Sequence, residues 1–104
     1  MSSPTFEIKL ADEVEPEIQE IFHWYLLQSS HAANSFINAL EILIDFLNSN
    51  PHAFSRQRKN FRIAYLKRFP YAVVYEIAGN TIVILRIIHT SRQPRKRFRK
   101  LRRK

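Results

Sequence analysis

The sequence predicts an α+β domain in the order β-α-α-β-β-β, in which a twisted, mainly antiparallel sheet carries a helical hairpin on one face. First, the segment from Arg62 to Arg95 contains three short runs rich in Val, Ile, Tyr and Phe, separated by turn residues, which is typical of a strand meander. Second, two stretches before this meander repeat their apolar residues at helical spacing. A basic extension follows the last predicted strand.

The N-terminal segment predicts one strand and the start of a helix. Phe6, Ile8 and Leu10 alternate with polar residues over positions 5–10, which is the period of a half-buried strand. Asp12, followed three residues later by Glu15, predicts a capping box for a first helix that extends to about residue 28.

A second helix is predicted directly after the first. Ser29-Ser30 interrupts the helical pattern and offers a new N-cap. The helix is expected to end at residues 48–51, where an Asn can adopt the left-handed cap conformation and Pro51 cannot continue the helix. Because the link is so short, the two helices should form an antiparallel hairpin.

The meander consists of runs at 61–67, 71–78 and 81–89. Arg68-Phe69-Pro70 should turn the chain after the first run, and Gly79-Asn80 predicts a two-residue hairpin loop before the last. The last run is apolar on both faces except for Arg86, which predicts a strand inside the sheet. We expect Arg86 to form an ion pair with Glu76 on the neighbouring strand.

Charge divides the chain into two halves. Residues 1–50 hold eight acids and one base, whereas residues 51–104 hold sixteen bases and one acid. Nine of these bases lie within residues 92–104, so we expect one domain over 1–95 and a basic tail over 96–104. The asymmetry predicts contact with a polyanion, such as nucleic acid, or with an acidic protein; the alternative is a tail that is only solvated.

The sequence lacks the residues that several classes of function require. The chain has no Cys and a single Gly, so thiolate chemistry and a glycine-rich phosphate loop are excluded, and its four His lack metal-ligand spacing. We therefore expect no metal and no cofactor. The N-terminus shows no secretory signal and the longest apolar run is short, so we expect a cytoplasmic protein without membrane contact.

His89 is the strongest candidate for chemistry, because it ends the last strand and is followed by Arg92, Arg95 and Arg97. An imidazole among guanidinium groups can transfer a proton beside a bound phosphate. The alternative is a histidine that is hydrogen-bonded at the strand end and serves shape alone. Three tyrosines also have a functional and a structural interpretation. They either stack on bases or pack within the sheet: Tyr65, Tyr71 and Tyr75.

The order of elements and a set of short motifs resemble the RelE/ParE toxin superfamily over roughly Phe6 to Arg95. The motifs are Ala32-Ala33, Asn50-Pro51, Arg68-Phe69-Pro70-Tyr71, Val74-Tyr75, and the ending Ile84-Leu85-Arg86-Ile87-Ile88-His89 with Arg92 and Pro94. The resemblance implies the toxin of a bacterial type II toxin-antitoxin pair. It also implies a cognate antitoxin whose C-terminal segment lies on the helices and along the sheet.

Two branches of this superfamily differ in their chemistry. RelE-like members cut mRNA in the ribosomal A site with basic residues on the second strand and an arginine after the tyrosine that opens the third, whereas ParE-like members inhibit DNA gyrase. Here the corresponding residues are Ile63, Tyr65 and Ala72, and Phe98 stands near the place of a catalytic tyrosine. The strand motifs are more similar to the ParE branch.

We therefore expect a ParE-like toxin that acts by binding gyrase through Arg68, His89, Arg92, Arg95 and Arg97, rather than by catalysis. The second hypothesis is a ribosome-dependent mRNA endonuclease, with His89, Arg68 and Arg92 as acid-base and phosphate-stabilising groups. The third is a non-toxic module that binds nucleic acid through its tail.

Overall fold

The computed structural model describes residues 6–90, and within them the predicted α+β class and element order are confirmed. The elements are β1 (Glu7–Leu10), α1 (Val14–Leu26), α2 (Ser30–Ser49), β2 (Phe61–Tyr65), β3 (Tyr71–Ala78) and β4 (Thr81–His89). A short 3-10 turn, Arg58–Asn60, precedes β2. No helix in this part of the chain has the length and apolar character needed to cross a membrane.

The four strands form one mixed sheet in the order β1-β4-β3-β2. β2, β3 and β4 are antiparallel neighbours, whereas β1 pairs with β4 in parallel. β4 therefore lies inside the sheet, as its apolar sequence predicts. Gly79 takes a φ of 62° in the loop between β3 and β4, the conformation that a tight hairpin requires and that glycine adopts without steric cost.

The helix ends agree only in part with the prediction. Ser29 caps α2 as expected, because its Oγ accepts a hydrogen bond of 2.9 Å from the backbone N–H of Ala32. The capping box of Asp12 and Glu15 is wrong: the cap residue is Glu13, which already has a helical φ of −74° and makes no side-chain cap bond. A residue in that conformation does not direct its side chain back to the free N–H groups of the first turn.

The left-handed cap at the end of α2 is also wrong. Asn50 has a φ of −137°, and both its backbone N–H and its side-chain amide donate to the carbonyl of Phe46, at 2.8 and 3.1 Å. The carbonyl of Phe46 in the last turn thus receives the hydrogen-bond partner that a left-handed cap would otherwise provide.

The hydrophobic core lies between the helical hairpin and one face of the sheet. Its fully buried side chains come from both helices and from three strands: Val14, Phe36, Leu47, Ala64, Val73, Tyr75, Ile82 and Ile84. The opposite face carries neither helix of residues 6–90, and we call it the helix-free face. A smaller cluster of buried side chains on it contains Ile63, Ala72, Val74 and Ile88. The sheet therefore has apolar side chains on both faces of its central strands.

Candidate functional site

Two predicted site residues, Arg68 and His89, lie at the same end of the sheet. Tyr71 at the start of β3 is paired with His89 at the end of β4, and the N–H of Thr90 donates to the carbonyl of Pro70 at 2.8 Å. We call this end, formed by residues 66–71 and 87–90, the basic rim. Arg92, Arg95 and Arg97 lie outside the described residues.

Arg68 stands in the turn between β2 and β3 with a φ of +73°. This left-handed conformation is uncommon for a residue other than glycine and costs about 1–2 kcal/mol. The turn is closed by the N–H of Leu66, which donates to the carbonyl of Tyr71 at 2.9 Å. Its side chain is exposed, so the strained backbone places a guanidinium in solvent at the tip of the turn. A strained backbone that carries an exposed functional group is a reason to suspect a binding role.

Aromatic side chains form the floor beneath the rim. His89 packs edge-on against Tyr71 with ring centroids 4.9 Å apart, and Tyr25 of α1 lies 5.4 Å from Phe69 and 6.4 Å from Tyr71. Phe36 of α2 contacts the same rings. Both the Arg68 turn and His89 thus rest on rings that the helices hold in place.

The charge of the rim is positive. Lys67 and Arg68 are exposed, and residues 66–71 and 87–90 contain no acid. Burial, with a smaller contribution from Tyr71, raises the pKa of Tyr25 above its ordinary value. The Tyr25 hydroxyl therefore stays protonated near neutral pH, and the floor adds no negative charge to the rim.

The three tyrosines differ in exposure. Tyr75 is fully buried and its hydroxyl donates to the carbonyl of Pro51 at 2.8 Å, and Tyr71 is partly buried in the core, so packing is the correct interpretation for both. Tyr65 is 53% exposed and lies across from Ala72 on the rim side of β2. It alone among the three has a ring available to a partner.

The predicted ion pair between Arg86 and Glu76 is wrong. A shift of register between Val74 and Tyr75 places Arg86 opposite Val74, while Glu76 lies opposite Val83. Arg86 instead donates from Nε to the Glu17 carboxylate of α1 at 2.6 Å.

The same Glu17 carboxylate accepts the backbone N–H of Ile87 at 2.8 Å. Sequence reasoning missed Glu17, although it stands three residues after Val14 and four before Ile21 on the buried stripe of α1. An acid on an apolar helix face and a base in an apolar strand were the two signals that predict such a pair.

Within residues 6–90, no three His, Asp or Glu side chains come together as possible metal ligands. The rim itself offers the exposed cations of Lys67 and Arg68 and the imidazole of His89, a set suited to binding an anionic or acidic surface.

A helical hairpin on a four-stranded mixed sheet is the architecture that the resemblance to the RelE/ParE toxin superfamily implies. Within it, the chain belongs to the ParE family: the family model described as the ParE toxin of type II toxin-antitoxin system, parDE, matches residues 8–94.

The chain is also similar to a solved structure titled as the chromosomal ParDE TA system from P. aeruginosa. The identity is 19% and the TM-score 0.73, and the alignment covers 86% of this chain and 100% of that chain. At this identity the likeness supports the fold. No curated protein sequence matches the chain.

Proposed function

We propose that this ParE-family toxin inhibits bacterial growth by binding DNA gyrase through its basic rim, and that a cognate antitoxin neutralises it. The observation that carries the choice of target is the apolar cluster on the helix-free face. Ile63 is 8% exposed and Ala72 is fully buried, and these positions correspond to those where the nuclease branch is expected to carry basic residues.

The apolar cluster argues against phosphoryl chemistry on this face. Cleavage of RNA requires charge stabilisation at the phosphate, and the loss of one stabilising group typically costs about 10²–10³ in rate. Buried aliphatic side chains supply no such group. A cation placed among them would be desolvated without a partner, which is unfavourable.

The basic rim is suited to binding a large partner. Phe69 and His89 of the rim are packed against other rings, so the segments that carry the cations need little ordering when the rim engages a surface. Their shared sign favours fast association with acidic protein or with the DNA that gyrase holds.

The antitoxin is proposed to bind elsewhere. The helical hairpin exposes five large apolar side chains, with exposures between 42% and 87%: Trp24, Leu26, Leu27, Ile42 and Phe46. Ile42 and Phe46 are four residues apart on α2 and therefore share one face. An amphipathic segment that covers this face fits the antitoxin that the family implies.

The test is a supercoiling assay with purified gyrase and the full chain. We expect inhibition by the wild type, and a loss of potency of about tenfold or more for Arg68→Ala and for His89→Ala, the scale of a hot-spot contact. Arg56→Ala is the matched control, because Arg56 is exposed and lies at the opposite end of β2. Unimpaired gyrase together with mRNA cut on translating ribosomes would contradict the proposal.

The second candidate is the ribosome-dependent endonuclease. It is favoured by one observation, the imidazole of His89 beside the Arg68 turn, because these are an acid-base group and a phosphate-binding cation at one end of the sheet. It requires that His89→Ala abolish cleavage of mRNA while the variant keeps its fold and its antitoxin.

A further inference from the structure

β4 contains a bulge just before the rim. Tyr75 is paired with Ile84 but Val74 with Arg86, so Leu85 has no partner across the strand pair. As a result Ile84 and Ile87 both face the helices, while Leu85 and Ile88 pack on the helix-free face. Bulges of this kind re-aim the side chains that follow them.

The bulge lies where β4 loses its neighbour on the other edge. β1 ends at Leu10, and the last bond on this side joins the N–H of Ala11 to the carbonyl of Ile84 at 2.8 Å. Past this point the Glu17 carboxylate of α1 takes the place of a strand. It accepts the N–H of Ile87 at 2.8 Å and the Arg86 Nε at 2.6 Å, and its side chain is only 19% exposed.

We propose that Glu17 is a positioning residue that fixes the bulged register of β4 and so holds His89 against Tyr71. The inference rests on the proposed function only in taking the rim as the target-binding surface. Glu17 contacts the rim at the backbone N–H of Ile87, and through it acts on His89 two positions further along β4.

The reason is the alternative register. Without the bulge, strict alternation from Ile82 and Ile84 would direct Arg86 and Ile88 toward the helices and turn His89 to the other face. In the bulged register one carboxylate accepts both the N–H of Ile87 and the Nε–H of Arg86. Because bonds to a carboxylate are stronger than neutral ones, Glu17 favours that register over the slipped one.

Nuclear magnetic resonance of the full chain tests the positioning directly. In the wild type the rings of His89 and Tyr71 should show mutual nuclear Overhauser contacts. We expect Glu17→Ala to lose these contacts while helix signals persist. Glu17→Gln keeps an acceptor for the Ile87 N–H but not its charge, so the contacts should remain while the Ile87 amide exchanges about fivefold faster.

Glu20→Gln is the matched control, since Glu20 is exposed on the same helix, and it should leave both readouts unchanged. A folded Glu17→Ala chain with unaltered His89 and Tyr71 contacts overturns the proposal. If Glu17→Ala does not fold, Glu17→Gln decides: an unchanged exchange rate for Ile87 overturns it and a faster one supports it.

Gyrase inhibition, measured on the same samples, separates this inference from the proposed function. Lost ring contacts together with lost inhibition support both. If Glu17→Ala loses the ring contacts but the wild type does not inhibit gyrase, the positioning role of Glu17 is supported and gyrase as the target is contradicted.

Discussion

Arg68 is the residue at which stability and function are expected to oppose each other. Its φ of +73° suits glycine, which reaches that conformation without the steric cost that a side chain imposes. We therefore expect Arg68→Gly to leave the free energy of unfolding unchanged or to raise it by up to about 1 kcal/mol, measured by denaturant titration. The same variant should lose potency against gyrase, because the guanidinium is gone.

Lys67→Gly provides the comparison for that measurement. Lys67 is exposed and does not have a positive φ, so glycine there adds only freedom to the unfolded chain and should destabilise by about 0.5–1 kcal/mol. If both variants destabilise equally, the left-handed conformation of Arg68 carries no strain.

At the scale of elements, the turns decided how well each strand was predicted. β3 and β4 begin and end where predicted, because the turn residues Pro70 and Gly79-Asn80 interrupt the strands at these positions. β2 ends two residues earlier than predicted, at Tyr65, since the N–H of Leu66 already closes the turn that contains Arg68. Boundaries without Gly or Pro follow from tertiary packing, which local pattern does not contain.

The bulge in β4 could not be predicted from the sequence, for a different reason. Residues 82–88 are apolar except for Arg86, so no alternation marks which residue faces which side. The rim itself was predicted in part: the pairing of β3 with β4 brings the Arg68 turn to His89. Tyr25 and Phe36 of the aromatic floor and the Glu17 carboxylate come from helices distant in sequence, and spacing alone does not reveal such contacts.

Tyr75 joins two elements, because its buried hydroxyl on β3 holds the loop after α2 through the carbonyl of Pro51. Tyr75→Phe leaves that carbonyl without its partner and should lower the free energy of unfolding by about 1 kcal/mol at neutral pH. Tyr65→Phe is the control, since Tyr65 is 53% exposed and removal of its hydroxyl should change the free energy of unfolding little. Equal stability of the two variants would contradict a structural role for the bond.

The same tyrosine should make stability fall in alkali. Burial raises the pKa of Tyr75 despite the opposing charge of Arg62, so the folded state holds this proton more tightly than the unfolded state does. The contribution is present below the unfolded pKa of about 10 and is lost as the pH rises through the raised value. Unfolding curves at increasing alkaline pH should decline less steeply for Tyr75→Phe than for the wild type.

At the scale of the whole molecule, charge and apolar surface separate into two regions. Residues 1–50, which contain both helices, hold eight of the nine acids. Residues 51–104 hold sixteen bases, nine in residues 92–104 and seven in residues 51–91. The exposed apolar side chains lie mainly on the acidic helices, whereas the rim is basic. This separation supports the proposal that the toxin uses one surface for its target and another for its antitoxin.

Two substitutions should therefore uncouple neutralisation from toxicity. Ile42 is 64% exposed on α2, so Ile42→Ser should change stability by no more than about 0.5 kcal/mol. If the antitoxin buries this side chain, its affinity should fall about tenfold to a hundredfold, since full burial of an isoleucine contributes about 1.5–3 kcal/mol. His89→Ala should do the reverse, keeping its affinity for the antitoxin and losing inhibition of gyrase.

Calorimetric titration measures the affinity for the antitoxin, and supercoiling assays measure the inhibition of gyrase. A single folded variant that abolishes both activities would mean that the two surfaces overlap.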